Sequence, residues 1–557
     1  MKISKRRGRS APKYLASRHL QSMGVAVAAT IGFAASPAAA STCSQLASTL
    51  HRPNTTITTA QTVPAGTFVT PTSQSITGLP QFCRVAGFTT PSKDSHINFE
   101  VWIPESGWNL KYLQVGCGGF CGAVPYGSLA EPLRRGYAAA ATDDGHQASA
   151  STDASWAAGH PEKVVDFGYR ALKETTDVAK DIIMAFESSS PRRSYFMGCS
   201  NGGREALMEA QRYPRDFDGI VAGSPANDWT NLLAGDVWNR KALAGISSGD
   251  LSQADLDVVS KAMLAQCAGH DGGLSADQFL NNPPACHFNP EKLSLPHDKI
   301  EAIKKIFSGP PGIFPGYRVG GDEASTAANW PSWLTDSGNP SNALQGLFGD
   351  NYFKFMVFPN SDWTFDSFSV GQNARQAEAR TGAILNSVDP DLRPFRSHGG
   401  KLIQYVGWGD TAISPENDIK YYNSVKREIG GHEDIGEFYR LFMVPGMAHC
   451  SGGPGANAFG QSLNGPNPSD AADDILTALD QWVENRRAPD QIVATKYVND
   501  SAAQGIAFQR PLCQFPQIAK YKGNGSTTSA ASFACVNSDH DDHDKGHDGH
   551  DKEASNH

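Results

Sequence analysis

The sequence predicts an α/β fold built on a mostly parallel sheet and interrupted by a long insertion. Short apolar runs alternate with helical periodicity between residues 111 and 213, the alternation lapses from about 226 to 394, and it resumes at 401. With 557 residues, 39% of them hydrophobic and 19% charged, the chain has globular composition and the length for more than one folding unit.

Residues 64–108 are rich in Thr, Val and turn formers, and the alternating stretch 96–103 reads as a strand. Residues 111–115 form a second strand, followed by the glycine-rich loop 116–122 and a third strand at 136–142. Apolar spacing predicts a helix over 164–188, a strand over 193–197 and a helix over 203–213 that stops at Pro214. Strands at 401–406 and 439–444 and a helix at 471–484 complete the pattern. The domains expected are a first core part (41–225), an inserted lid (226–394) and a second core part (395–536), between a leader (1–40) and a tail (537–557).

The leader holds seven Lys/Arg and no acid, then the apolar run 23–35, then Ala38-Ala39-Ala40. This is the pattern of a cleaved secretory signal, since the run is shorter than the ~20 residues of a bilayer span. A secreted or periplasmic protein without a membrane anchor is expected. The whole chain carries −9 at pH 7, so without its basic leader it is more acidic still, which disfavours nucleic acid as a partner. The ten cysteines all follow the leader and read as disulfides of an exported protein. The tail, with five His and seven acids, reads as disordered, with divalent-metal binding and simple solubilisation as its two readings.

The strongest chemical signal is Gly198-Cys199-Ser200-Asn201-Gly202, a GxSxG pentapeptide between a predicted strand and a predicted helix. That context makes it a nucleophile elbow, where small neighbours let the Ser200 hydroxyl project and the helix N-terminus favours developing negative charge. A serine nucleophile needs a base, and the base an acid to orient it. Asp410 and His449 follow in the chain order of α/β-hydrolases, each just after a predicted strand. Cys199 and Cys450 flank the proposed nucleophile and base, so contact between Ser200 and His449 would bring them within bridging distance. The oxyanion donors expected are the N–H of Asn201 and those of the glycine loop, at Gly118 and Gly119. Catalysis of this kind requires no cofactor.

The residues 198–204 (GCSNGGR), 218–225 (DGIVAGSP) and 444–453 (VPGMAHCSGG) resemble the tannase and feruloyl esterase family of serine hydrolases, over roughly 43–536. The resemblance implies an α/β-hydrolase core with a large inserted lid domain, the triad Ser200, Asp410 and His449, and the Cys199–Cys450 bridge. It further implies pairs Cys43–Cys83, Cys267–Cys286 and Cys513–Cys535, leaving Cys117 with Cys121. Family members often hold calcium in a lid loop between bridged cysteines. The matching ligands here are Asp271 and Asp277, but Ala268 stands where Asp is common, and two carboxylates fall short of the six or so oxygens that calcium takes. The substrate implied is a small aromatic ester, a ferulate or gallate ester for example. The lid supplies Trp330, Trp333, Phe348, Tyr352, Phe353, Phe355, Phe358, Trp363, Phe365 and Phe368 for an aromatic slot, although most should be core. Relatives that cleave a terephthalate monoester use a lid Arg, and the matching stretch 341–350 has neither Arg nor Lys. A serine peptidase of the same fold and a non-catalytic exported metal-binding protein are the rival readings.

Overall fold

The computed structural model describes residues 41–317, 320–325, 329–335, 342–431, 435–463 and 470–538; the expected signal and nearly all of the tail lie outside them. Among the described residues, the first eleven strands in chain order are β1 (Thr55–Val63), the hairpin pair β2 (Gly66–Val69) and β3 (Ser75–Leu79), β4 (Phe82–Thr89), β5 (Ile97–Pro104), β6 (Lys111–Val115), β7 (Ala138–Thr142), β8 (Arg193–Cys199), β9 (Gly219–Gly223), β10 (Lys401–Gly407) and β11 (Tyr439–Val444). A nine-stranded sheet runs in the order β1-β4-β5-β7-β6-β8-β9-β10-β11. The β1, β4, β5 and β7 neighbours pair antiparallel, and from β7 to β11 every pair is parallel.

Alternate residues of the central strands supply two cores. Phe196, Ile220 and Leu402 face a layer with the helices Ala171–Glu187 and Pro415–Ile429, while Tyr195, Met197, Val221 and Ile403 face a layer with the helix Ile475–Asn485. Both faces are covered, as a parallel sheet requires. The helix expected over 164–188 is broken: Asp166–Arg170 forms a wider π-type turn between Pro161–Val165 and Ala171–Glu187. The buried Arg204 guanidinium donates hydrogen bonds to the carbonyls of Phe167 and Gly168 at 2.9 and 2.8 Å, drawing them from the helical ladder.

The insertion leaves the sheet after β9 and returns at β10. It carries helices Trp229–Ala244, Gln253–Cys267, His297–Ser308, Leu344–Tyr352 and Val370–Ala377, and no strand among the described residues. Trp229–Ala244 is buried on most sides, so it lacks the apolar stripe that would have announced it in the sequence. All ten cysteines are paired, as Cys43–Cys83, Cys117–Cys121, Cys199–Cys450, Cys267–Cys286 and Cys513–Cys535. No helix among the described residues is long and apolar enough to cross a membrane.

Candidate active site

β8 delivers Cys199 to the end of the sheet, and the helix Asn201–Arg212 starts two residues later. The turn between them is taken by Ser200 alone, at φ 65° and ψ −122°, a conformation that non-glycine residues rarely adopt. Main-chain bonds hold it there: Ser200 N–H donates to the Gly223 carbonyl at 3.0 Å, and the Ser200 carbonyl accepts from Arg204 and Ala226 at 3.0 and 3.1 Å. A side chain at Gly203 would collide with the Gly223 carbonyl and Pro225, which explains the glycine following the elbow.

The imidazole of His449 lies after β11 and the carboxylate of Asp410 after β10. Their Nδ1 to Oδ2 and Oδ1 distances are 2.9 and 3.1 Å. Asp410 Oδ1 also accepts from the N–H groups of Ala412 and Ile413, each at 2.9 Å. An acceptor-only carboxylate on Nδ1 fixes the neutral imidazole with its proton there, leaving the lone pair on Nε2. The Cys199–Cys450 bridge ties the residues next to Ser200 and His449 together, with Cα atoms 6.0 Å apart across 251 positions. Among the described hydrogen bonds, none joins the Ser200 hydroxyl to the imidazole; Nε2 instead faces the Cys450 sulfur at 3.6 Å. Such a bond often tightens only with substrate bound.

Opposite the imidazole, the Cys117–Cys121 bridge closes the glycine loop over a separation of four. Gly119 takes φ 60°, and a Cβ there would lie 2.6 Å from the Ser151 carbonyl, so the position requires glycine. Phe120 N–H donates to Ser151 and Cys121 N–H to Gly118, whereas the N–H groups of Gly118 and Gly119 have no acceptor among the described residues. Asn201, as the first residue of its helix, has no helical acceptor for its own N–H. His146 supports the loop from below: its Nε2–H donates to the Phe120 carbonyl at 2.7 Å, and burial pushes the imidazole down to about 4, keeping it neutral.

Of the ten aromatics singled out in the insertion, Trp333 and Phe348 are those that border the site in the described contacts. Trp333 meets the His449 ring edge-on at 5.1 Å and lies nearly parallel to Phe348 at 6.1 Å; Phe348 reaches Phe120 at 5.4 Å. Tyr352, Phe353, Phe358, Trp363 and Phe368 pack on one another as core, and Trp330 packs on Phe307.

The calcium expectation does not fit. Asp271 already accepts from the N–H groups of Gly273, Asn281 and Asn282, and Asp277 accepts from Leu274 N–H and pairs with the Arg510 guanidinium at 3.1 Å. A cation already occupies one of the two carboxylates, and the other caps a turn.

Sequence reasoning missed a buried cluster beneath the elbow, formed by Asp144, Arg204 and Glu205. In the sequence Arg204 only ends the stretch 198–204, and Glu205 and Asp144 belong to no motif. The one signal available was the density of charged residues just behind the elbow.

A family model described as tannase and feruloyl esterase matches residues 83–536. An uncharacterized esterase of Xanthomonas campestris pv. campestris is 40% identical over 546 residues, covering 92% of this chain and 94% of that one. A probable feruloyl esterase B-2 of Neosartorya fischeri is 30% identical over 89% of this chain and 95% of its own length. The crystal structure of feruloyl esterase B from Aspergillus oryzae superposes with a TM-score of 0.81 at 28% identity, over 89% of this chain and 99% of that one.

Proposed function

Since the chain belongs to the tannase and feruloyl esterase family and is a carboxylic ester hydrolase, we propose that it cleaves esters of aromatic, phenolic acids through an acyl-enzyme on Ser200. The observation that carries this reading is the Asp410–His449 pair clamped beside the Ser200 elbow by the Cys199–Cys450 bridge. His449 Nε2 takes the Ser200 proton, the oxygen attacks the ester carbonyl, and the N–H groups of Asn201 and of Gly118 or Gly119 receive the oxyanion. His449 returns the proton to the departing alcohol. Water then repeats the sequence on the acyl-enzyme, while Asp410 holds the imidazole tautomer and offsets its charge.

The aromatic preference is supported by Trp333 and Phe348, which line the approach to His449 and Gly119. In this reading the insertion 226–394 acts as the lid. Five disulfides support action outside the cytoplasm, in the secreted or periplasmic space.

The test compares hydrolysis of methyl ferulate, methyl gallate, chlorogenate, a terephthalate monoester and an aliphatic methyl ester by the purified protein. A higher kcat/KM on phenolic esters than on the aliphatic and terephthalate substrates is expected, and preference for either of the latter would overturn the substrate assignment. Ser200→Ala should lower kcat by about 10⁴-fold or more; turnover near the wild-type rate would remove Ser200 from the mechanism.

A further inference from the structure

Glu205 is wholly buried on the helix that starts at the elbow, one turn beyond Asn201. Its Oε2 accepts from the main-chain N–H of Cys117 at 3.2 Å, and its Oε1 accepts from Asn201 Nδ2 at 2.5 Å. Asn201 Nδ2 also donates to the Cys117 carbonyl at 3.3 Å. The peptide groups on both sides of Cys117 are therefore held from one helix, immediately before the free N–H groups of Gly118 and Gly119. The approach is close: a Cβ at Gly116 would lie 2.6 Å from Glu205 Oε2 and 2.7 Å from the Gly202 Cα.

Behind Glu205 stands Asp144, also fully buried, with its Oδ2 3.3 Å from the Cys117 sulfur. That sulfur is oxidised and has no proton to give, and no N–H or hydroxyl reaches Asp144 Oδ1 among the described residues. Asp144 Oδ2 and Glu205 Oε1 lie against the same Cys117 sulfur, at 3.3 and 3.4 Å. Two carboxylates buried side by side repel each other, which favours one shared proton. Burial and the neighbouring Glu205 push Asp144 well above the carboxylate range, and burial raises Glu205 to about 7, so Asp144 takes the pair's first proton. The charge is balanced by the buried Arg204 guanidinium, whose Nε donates to Asn201 Oδ1 at 2.7 Å.

We propose that Glu205 is a positioning residue that sets the oxyanion donors of the glycine loop against Ser200. It touches neither substrate nor nucleophile. It acts through the main chain at Cys117, where a displacement of about 1 Å can cost on the order of 10²-fold in rate. The inference rests on the esterase reading of Ser200.

The experiment measures kcat, KM and inhibition by trifluoroacetophenone, whose ketone forms an oxyanion adduct with an activated serine. Glu205→Gln puts an amide N–H against either Cys117 N–H or Asn201 Nδ2. It should lower kcat about 10- to 100-fold, leave KM within about twofold and weaken the ketone in proportion to the loss of kcat. Should Glu205→Gln not fold, Glu205→Asp keeps the charge but withdraws it by one methylene, and should show the same loss confined to kcat. Either single variant within about threefold of wild-type kcat, with Ser200→Ala inactive, overturns the positioning role alone. Ser200→Ala at the wild-type rate overturns the esterase reading and this one with it.

Discussion

On the His449 side of Ser200 the tie to the nucleophile is covalent and spans 251 positions, whereas on the glycine-loop side it is hydrogen-bonded and runs through a single helix. Each side also has a buried carboxylate, employed differently. Asp410 faces a ring that must gain and lose a proton, and it is surrounded by donors: two N–H groups and Nδ1. Glu205 faces the peptide N–H of Cys117, which never titrates, and lies with a second carboxyl, Asp144, and the guanidinium of Arg204 in one buried cluster. The contrast shows that burial does not assign a carboxylate its role; the groups it meets do. A proton carrier needs an adjustable partner, while an oxyanion donor needs an immobile one.

The largest effect expected on the His449 side comes from Asp410→Asn. An amide there can leave the imidazole in the wrong tautomer, so kcat should fall by about 10³- to 10⁴-fold with little change in fold; steady-state rates with a circular dichroism control check it. A fall of only a few-fold would mean that the two sides differ less than their geometry indicates. Next is the covalent tie. Replacing Cys199 and Cys450 together with Ser should remove about 3–5 kcal/mol of stability, read from a denaturant midpoint, because a long loop is released.

On the glycine-loop side, His146 gives a pH-dependent prediction. Burial lowers its imidazole to about 4, against an ordinary value near 6.5 in the unfolded chain. As pH falls from about 6.5 to about 4, the unfolded chain takes up a proton that the folded one refuses. Stability present above pH 6.5 is therefore lost progressively on acidification, by up to about 2–3 kcal/mol. His146→Gln should show a shallower loss over that window, measured by thermal melts at several pH values. The smallest effect belongs to the lid: Trp333→Ala should raise KM for methyl ferulate by about tenfold while changing the aliphatic ester by less than half as much on a logarithmic scale, since it removes an aromatic surface and no reacting group.

The legible parts of the site are those with a local signature. Ser200 sits in a pentapeptide whose small residues follow from the turn itself, and Asp410 and His449 each stand just past a short apolar strand. The strands at 111–115 and 439–444 coincide with β6 and β11, because a buried parallel strand is a bare apolar run. β9 lies within the stretch 218–225 and carries no strand signature of its own, being five residues long with glycine at each end. The insertion's helix Trp229–Ala244 is illegible for the opposite reason: buried on most sides, it carries no polar stripe to mark its period.

The sequence by itself therefore determined the class of fold, the place of the elbow and the order Ser200, Asp410, His449 along the chain. All of these depend on neighbours within a few residues, where periodicity and turn chemistry act. Only the tertiary structure decided that Trp333 and Phe348 face the site while other lid aromatics form core, that Asp277 belongs to Arg510, and that Glu205 meets the main chain of Cys117. Those pairings join residues tens to hundreds of positions apart. The identity of a buried charge's partner is set by which surfaces close on each other when the chain packs.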